Sequence, residues 1–384
     1  MFDYLVVGAG LAGSVMSERI ANVLSKSVLL IEKRGHVGGN CHDFFNQEGI
    51  LVHKYGPHIF HTDSEEVWDY FSQFTSWHDY QHRVLGSVQG EKVPIPFNLQ
   101  SLHQLFPTET ANRLESRLVE KFGYGARIPI LELKEMEDEE LSSLADFIYE
   151  QVFLNYTIKQ WGFLPEELDP SVTGRVPVYI SLDDRYFQDS HQKMPREGYT
   201  PIFSKMLANP LIELRLNTDY KDLVEIDFDS KKIRLEGEQF TGMMIYTGRI
   251  DELFNYQYGE LPYRSLRFKF ETLDQEFYQE AGTVNYPNNH LYTRITEFKH
   301  LTGQKHPRTT IVREYPQAYQ RDRNLPYYPI PQKRNHQLYQ RYQARADEFG
   351  NLICLGRLGE YRYYNMSDVT SKALQVFQEK IAHE

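Results

Sequence analysis

Residues 2–20 read FDYLVVGAGLAGSVMSERI, and residues 27–43 read SVLLIEKRGHVGGNCHD. Tyr4-Leu5-Val6-Val7 is an unbroken apolar run of the kind buried on both faces of a parallel sheet. Gly8, Gly10 and Gly13 follow it in G-x-G-x-x-G spacing. Gly8 allows the tight turn, Gly10 lets backbone approach a pyrophosphate, and Gly13 lets the next helix pack on the strand. The first turn of that helix presents free N–H groups to phosphate oxygens. A second apolar run, Val28-Leu29-Leu30-Ile31, ends at Glu32, an acid at the right distance to hold ribose hydroxyls. Strand, turn, helix, strand and terminal acid stand in order, which predicts a dinucleotide-binding unit of the Rossmann type. A glycine-rich turn with no nucleotide is the plainer alternative.

An acid at position 32 disfavours a 2′-phosphate, so NADP is not expected in this site. NAD and FAD both carry an adenosine ribose and are not separated by Glu32. The second glycine pair, Gly38-Gly39, resembles the two-glycine turn of flavoproteins of the glutathione reductase and amine oxidase group. FAD is therefore the favoured dinucleotide.

A chain of 384 residues has length for two or three domains. Its net charge of −11 disfavours a general nucleic-acid or membrane-surface partner. Basic residues cluster between Arg294 and Arg345, which suits a small anionic ligand; a solvated charged face explains most of them equally well. Cys41 and Cys354 are the two cysteines, too few for a disulfide framework and in keeping with a reducing compartment. With no apolar run of membrane-spanning length and no evident signal peptide, a cytoplasmic protein is expected.

Along the chain, TDSEEVWDYFSQF carries a capping signal at Thr62 or Asp63 and an apolar face of Val67, Tyr70, Phe71 and Phe74. VPIPFNLQSLHQLF reads as an edge segment followed by a helix capped by Asn98. TETANRLESRLVEKFG and EDEELSSLADFIYEQVFL repeat helical spacing. Residues 63–160 are expected to form a mainly helical domain. LVEIDFDSKKIRLEGEQF alternates as a hairpin around Asp229-Ser230. RSLRFKFE, LYTRITEF and TTIVREY read as strands. The closing stretch, 351–381, reads as a buried strand, a turn at Gly356 and a helix starting near Met366–Asp368. That helix N-terminus would set a positive dipole at the far end of a long cofactor.

The expected fold is α/β. A discontinuous FAD-binding domain takes 1–62, 193–250 and 350–384. A helical domain takes 63–160. An antiparallel-sheet domain takes 161–192 and 251–349.

GAGLAGS, GGNCHD, KYGPHIFHT, NYTIKQWG, GRVPVY, YTRITEFKH, REYP with PYYPI, and GRLGEYRYYNM span residues 8–366 in one order. Together they resemble the bacterial UDP-galactopyranose mutase family over nearly the whole chain. The resemblance implies an isomerase interconverting UDP-galactopyranose and UDP-galactofuranose, with non-covalent FAD active in the reduced form. In that family flavin N5 attacks the anomeric carbon, expels UDP and forms a flavin–sugar iminium through which the ring opens and recloses. A homo-oligomer, as a homodimer, serving cell-surface polysaccharide synthesis is further implied.

The resemblance also implies that the antiparallel-sheet domain is the substrate domain, with a mobile lid near 166–177, and it implies residue roles. Gly8, Gly10, Gly13 and Ser14 would line the pyrophosphate, and Glu32 the ribose. Gly39, Asn40, His58, Ile59, Leu223, Arg357, Asn365, Met366 and Ser367 match flavin contacts. Arg175 and Arg294 match the arginines that hold the diphosphate, with donor forks suited to two phosphate oxygens. Tyr186, Tyr328 and Tyr363 match phosphate donors. Tyr156 and Thr157 match the uracil site. Trp161 lies beside the substrate, and His82 and Asn285 lie at the sugar. His61 joins Arg175, Arg294, Tyr328 and Tyr363 as a catalytic candidate, and the His58-x-x-His61 pair is read as flavin and sugar contact, with no metal expected. His82 replaces an Asn of some members and Asn365 an Asp, so an N-acetylated UDP-sugar stays open as the substrate. An FAD-dependent amine oxidase-like oxidoreductase and a non-catalytic nucleotide-sugar sensor are the rival readings.

Overall fold

The computed structural model describes residues 2–382, apart from the side chains of residues 171 and 173. Its centre is a five-stranded parallel sheet in the order Ile212–Arg215, Val28–Ile31, Tyr4–Val7, Met243–Tyr246, Leu352–Cys354. Every residue of Tyr4–Val7 and Val28–Ile31 is buried, as continuous apolar runs require. Helices Leu11–Val23 and Met366–Lys380 pack on each other over one face. A meander of Val224–Asp227, Lys232–Leu235 and Glu238–Phe240 adds its inward Val224, Ile233 and Phe240 to the core on the other face.

A seven-stranded sheet stands beside this unit, ordered Tyr328–Pro329, Tyr263–Leu273, Thr309–Ala318, Arg294–Glu297, Thr283–Asn285, Val84–Val88, Glu91–Ile95. It is antiparallel except where Thr283–Asn285 runs parallel to Val84–Val88. Helices Leu99–Leu105, Thr108–Phe122, Ile130–Lys134 and Glu139–Ile148, with a π-helical stretch Tyr149–Leu154, build a separate core around Leu114, Leu141, Leu144 and Ile148, while helix Asn155–Trp161 continues from it and packs Trp161 against Leu168 and Ile330. Asn98 caps its helix as expected, accepting from Ser101 N at 3.0 Å.

Several expectations need correction. The 63–160 stretch is helical beyond Asn98 apart from the two-residue strand Arg127–Ile128, but it also contributes the hairpin Val84–Ile95 to the seven-stranded sheet. Val84, Gly86 and Val88 alternate inward, and Gln89-Gly90 turn with φ of +51° and +94°. The cap of helix Glu65–Ser72 is Ser64, whose Oγ accepts from Val67 N, rather than Thr62 or Asp63. LYTRITEF ends its strand at Glu297 and turns into the short helix Phe298–Thr302. Within 251–349, a helix at Lys333–Ala346 accompanies the strands. Strand Val178–Tyr179 pairs with Arg127–Ile128, tying the segment after residue 174 to the helical part.

Candidate active site

The glycine turn shapes a cleft at the carboxyl end of the parallel sheet. A Cβ on Gly13 would lie 1.9 Å from the Gly8 carbonyl oxygen, so the helix can approach the strand this closely only through glycine. Gly8, at φ +101°, faces Thr247, whose Oγ1 would be 2.1 Å from a Cβ there. Gly10 stands at the N-cap of helix Leu11–Val23, and a Cβ on it would meet nothing nearer than Gly39 Cα at 3.8 Å. The helix amides therefore open onto free space. Glu32 sits at the end of the second strand with its carboxylate fixed: one oxygen accepts from Ala9 N and the other from Arg34 N, each at 2.8 Å.

The cleft encloses about 740 Å³, and Gly8, Gly10, Glu32, Gly39, Asn40, His58, Arg357, Asn365 and Met366 line it. Asn365 also caps helix Met366–Lys380, accepting from Asp368 N at 2.7 Å. Gly13 and Ser14 lie beneath the lining, Ser14 fully buried with its hydroxyl toward Ala9 O at 3.4 Å. Ile59 packs into the neighbouring core. Ser367 shares a 2.7 Å hydrogen bond with Thr62. Leu223 lies outside the cleft: the turn Tyr220–Asp222 carries it into the core under the meander, and Thr218, Asp219 and Tyr220 stand at the cleft instead. Thr247 to Arg249 and Asp322 to Tyr327 also line it. The former could have been found by extending the carboxyl end of the buried strand Met243–Tyr246; the latter sit on a loop without a local signal.

Beside the cleft, Arg175, Arg294, Arg357, Tyr156, Tyr186, Tyr328 and Tyr363 form a cage. The Arg175 guanidinium lies 3.6 Å from the Tyr363 ring centroid. Arg357 approaches the same ring at 4.9 Å and Tyr328 at 5.6 Å. Tyr328 and Tyr363 stack at 5.6 Å, and Trp161 lies 5.9 Å from Tyr328. Burial favours the neutral Tyr363 phenol, but Arg175, Arg357 and Arg294 outweigh it and pull its pKa below the ordinary range. Burial pushes Tyr328 up to about 12, with Tyr363 adding to the rise and Arg294 opposing it. A phenol made more acidic by surrounding cations marks a place built for negative charge.

Arg294 and Asn285 face each other across adjacent strands, and Arg294 also faces Glu314 on its other side. Its Nε donates to Glu314 Oε1 at 2.7 Å. Glu314, 1% exposed, is a residue the sequence reading left without a role.

His82 is buried, with Nδ1 2.9 Å from the Tyr80 hydroxyl, and its backbone carbonyl accepts from Tyr186 N at 2.7 Å. Burial, then the charges of Arg294 and His61, lower its pKa to about 3. His61 stacks on Phe187 at 3.6 Å, with Nδ1 3.1 Å from an Asp189 carboxylate oxygen. His58 is likewise lowered to about 3, by burial and then His53. Among the described residues no three His, Cys, Asp or Glu side chains are grouped to hold a metal ion.

Helix Asn155–Trp161 brings Tyr156, Thr157 and Trp161 to the cage, and cations anchor it. Lys159 Nζ donates to the carbonyls of Tyr286, His290 and Tyr292. Arg264 donates to those of Gln160 and Lys159 at 2.8 and 2.9 Å. Of the segment expected as a lid, residues 171 and 173 lie outside the described side chains. Its first residues are tethered, Asp169 N donating to Pro331 O at 3.1 Å and the Tyr149 hydroxyl to Glu166. Within the basic stretch 294–345, Arg308, Arg313, Arg321 and Arg345 form surface ion pairs with Glu48, Glu271, Glu260 and Glu348, Lys299 is buried with its ammonium on the carbonyls of Glu276 and His306, and Arg294 turns inward to Glu314.

Comparison with known proteins follows the same division. The profile of the UDP-galactopyranose mutase family matches residues 151–363, and that of an NAD(P)-binding Rossmann-like domain matches residues 6–74. A UDP-galactopyranose mutase of Mycoplasma pneumoniae is 35% identical over 381 residues, covering 97% of this chain and 94% of the relative. A dTDP-fucopyranose mutase of Escherichia coli is 31% identical over 381 residues, covering 98% of each. The crystal structure of a reduced UDP-galactopyranose mutase superposes with a TM-score of 0.74 at 16% identity, over 100% of this chain and 96% of that one. With both the motif-bearing half and the full length matched, the chain belongs to the UDP-galactopyranose mutase family of sugar-nucleotide isomerases.

Proposed function

We propose that the chain interconverts UDP-galactopyranose and UDP-galactofuranose with FAD in the cleft, active when reduced. The observation that carries this reading is the position of Arg357. It lines the cofactor cleft while its guanidinium faces Tyr328 and Tyr363 of the cage, so the two compartments share a wall. A nucleotide-sugar with its diphosphate in the cage would hold its sugar toward that wall.

The cleft suits FAD on its own geometry. The uncapped amides of helix Leu11–Val23 meet a pyrophosphate, Glu32 presents a fixed carboxylate to a ribose, and Asn365 places a second helix start at the other end. Bound and reduced, the flavin would supply through N5 the nucleophile for the anomeric carbon, so that the reaction needs no net oxidant. The chain's own residues bind and orient. Arg175 and Arg294 take the diphosphate as substrate and as leaving group, and charge-assisted bonds of this kind are worth about 1.5–3 kcal/mol each. Tyr186, Tyr328 and Tyr363 add hydroxyl donors. Tyr156 and Thr157 receive the base. Trp161 and Asn285 border the sugar. His82, neutral at ordinary pH, offers the sugar a hydrogen-bonding ring without charge. Residues 166–177 close over the bound nucleotide and exclude water.

The E. coli relative supports a second reading, in which the hexose is carried on deoxythymidine diphosphate; an N-acetylated UDP-hexose is a third. All are tested together. The purified holoenzyme, reduced with dithionite, is given UDP-galactofuranose, a dTDP-linked 6-deoxyfuranose or UDP-N-acetylgalactofuranose, and products are separated by chromatography. UDP-galactopyranose should form fastest, in yield exceeding the reductant consumed, while oxidised enzyme stays nearly silent. Equal turnover by oxidised enzyme would remove the flavin nucleophile.

A further inference from the structure

A carboxylate beside a diphosphate site repels the ligand, so Glu314 requires an explanation. It stands directly opposite Arg294 in the strand register, where side chains share one face of the sheet. Its Oε1 accepts from Arg294 Nε at 2.7 Å. Its backbone and its surroundings fix its place. Its backbone carbonyl accepts from Thr293 N at 2.9 Å. Its carboxylate would lie 3.3 Å from a Cβ on Gly56, whose φ is +86°. The Phe268 ring would lie 3.0 Å from that same Cβ, closing the space from the other side. The glycine of KYGPHIFHT thus leaves room for this acid.

A guanidinium has five donors in one plane. Glu314 takes the Nε edge and so leaves both Nη groups to the cage, where Tyr156 and Tyr328 lie within electrostatic reach of Arg294. We propose that Glu314 is a positioning residue that clamps Arg294 by Nε and aims its Nη pair at the diphosphate of the substrate. Arg294 is a long side chain, and holding one rotamer in advance removes an ordering cost that ligand binding would otherwise meet. That gain outweighs the repulsion between the carboxylate and the diphosphate. The proposal rests on reading the cage as the diphosphate site.

The two effects of Glu314 have opposite signs, which makes them separable. Glu314→Gln keeps an acceptor for Nε and removes the repelling charge. Glu314→Ala removes both, and Glu314→Met removes both while keeping the volume. Binding of UDP to the flavin-loaded protein is measured by calorimetry, with circular dichroism and flavin absorbance confirming each variant's fold. The Gln variant should bind UDP at least as tightly as the parent. The Ala and Met variants should bind about tenfold or more weakly. Combined with Arg294→Lys, which has no Nε fork to aim, Glu314→Met should add less than about twofold to the loss. Met and Ala variants binding as tightly as Gln would overturn the clamp, because only charge would then matter. Fully additive losses with Arg294→Lys would also overturn it. An Arg294→Lys variant that binds UDP like the parent would instead overturn the cage reading beneath it.

Discussion

Arg175 and Arg294 meet the same ligand from different kinds of support. Arg294 is fixed by a buried acid on a central strand. Arg175 comes from the segment after helix Pro170–Thr173 and rests on the face of Tyr363. Arg175 also hydrogen-bonds the Tyr363 side chain, so the tyrosine holds it in place and the remaining donors of the guanidinium are left to a phosphate. Replacing Arg175 by Ala should cost the diphosphate about 1.5–3 kcal/mol, or roughly tenfold to hundredfold in kcat/KM. Arg175→Lys should recover part of this, since an ammonium keeps the charge but not the paired donors. Flavin content should remain at the parent level in both, because Arg175 is not part of the cofactor cleft lining. If Arg175→Ala turns over normally, its place on Tyr363 is only a surface contact.

At the level of the element, the turn between Tyr4–Val7 and Leu11–Val23 separates folding from cofactor binding at two glycines. A methyl on Gly13 collides with backbone at 1.9 Å, and no side-chain rotation relieves that. Gly13→Ala should lower the melting temperature and the flavin content together. A methyl on Gly10 meets open protein space but fills the approach to the helix amides. Gly10→Ala should melt like flavin-free parent protein and remain colourless when FAD is added. A flavin-replete Gly10→Ala would mean that the pyrophosphate does not pass there. These glycines were legible because their requirement is local: strand, turn and helix are contiguous in the chain. Other elements were not. Helix Lys333–Ala346 buries only Asn335, Tyr342 and Ala346, so its apolar stripe is too thin to stand out among charged and amide side chains. The hairpin Val84–Ile95 was half seen, as an edge, because Gly86 holds an inward position where alternation normally shows a large side chain. Arg294 was recognised by its motif, yet its pairing with Glu314 depends on strand register across a twenty-residue separation. Leu223 packs toward the core while its neighbours Asp219 and Tyr220 line the cleft, because one turn decides which way a residue faces.

Over the whole molecule, three histidines, His53 and His82 buried and His58 partly buried, couple the site to acid stability. His53 lies in the core beside Phe298 and Tyr199, His58 at the cofactor cleft, and His82 at the cage. Burial lowers each to about 3. In the unfolded chain they titrate near 6.5. Between these values the unfolded state binds more protons than the folded one, so stability rises with pH and is lost as pH falls below about 6.5. One unit below that value each histidine costs about 1.4 kcal/mol, so the three cost about 4 kcal/mol at pH 5.5. That is a large part of the roughly 5–15 kcal/mol that holds a typical domain together. Carboxylates enter the balance only lower, near pH 4. The melting temperature of the holoenzyme should therefore fall clearly between pH 7 and pH 5.5, with flavin released over the same range. Burial lowers His42 as well, to about 4, and it adds to the same fall, so His82→Asn, which cannot titrate, should reduce that fall by roughly a quarter. Scanning fluorimetry across the range reads both. A melting temperature flat from pH 7 to 5.5 would show that these histidines take up protons in place, and that His82 can carry charge beside the sugar.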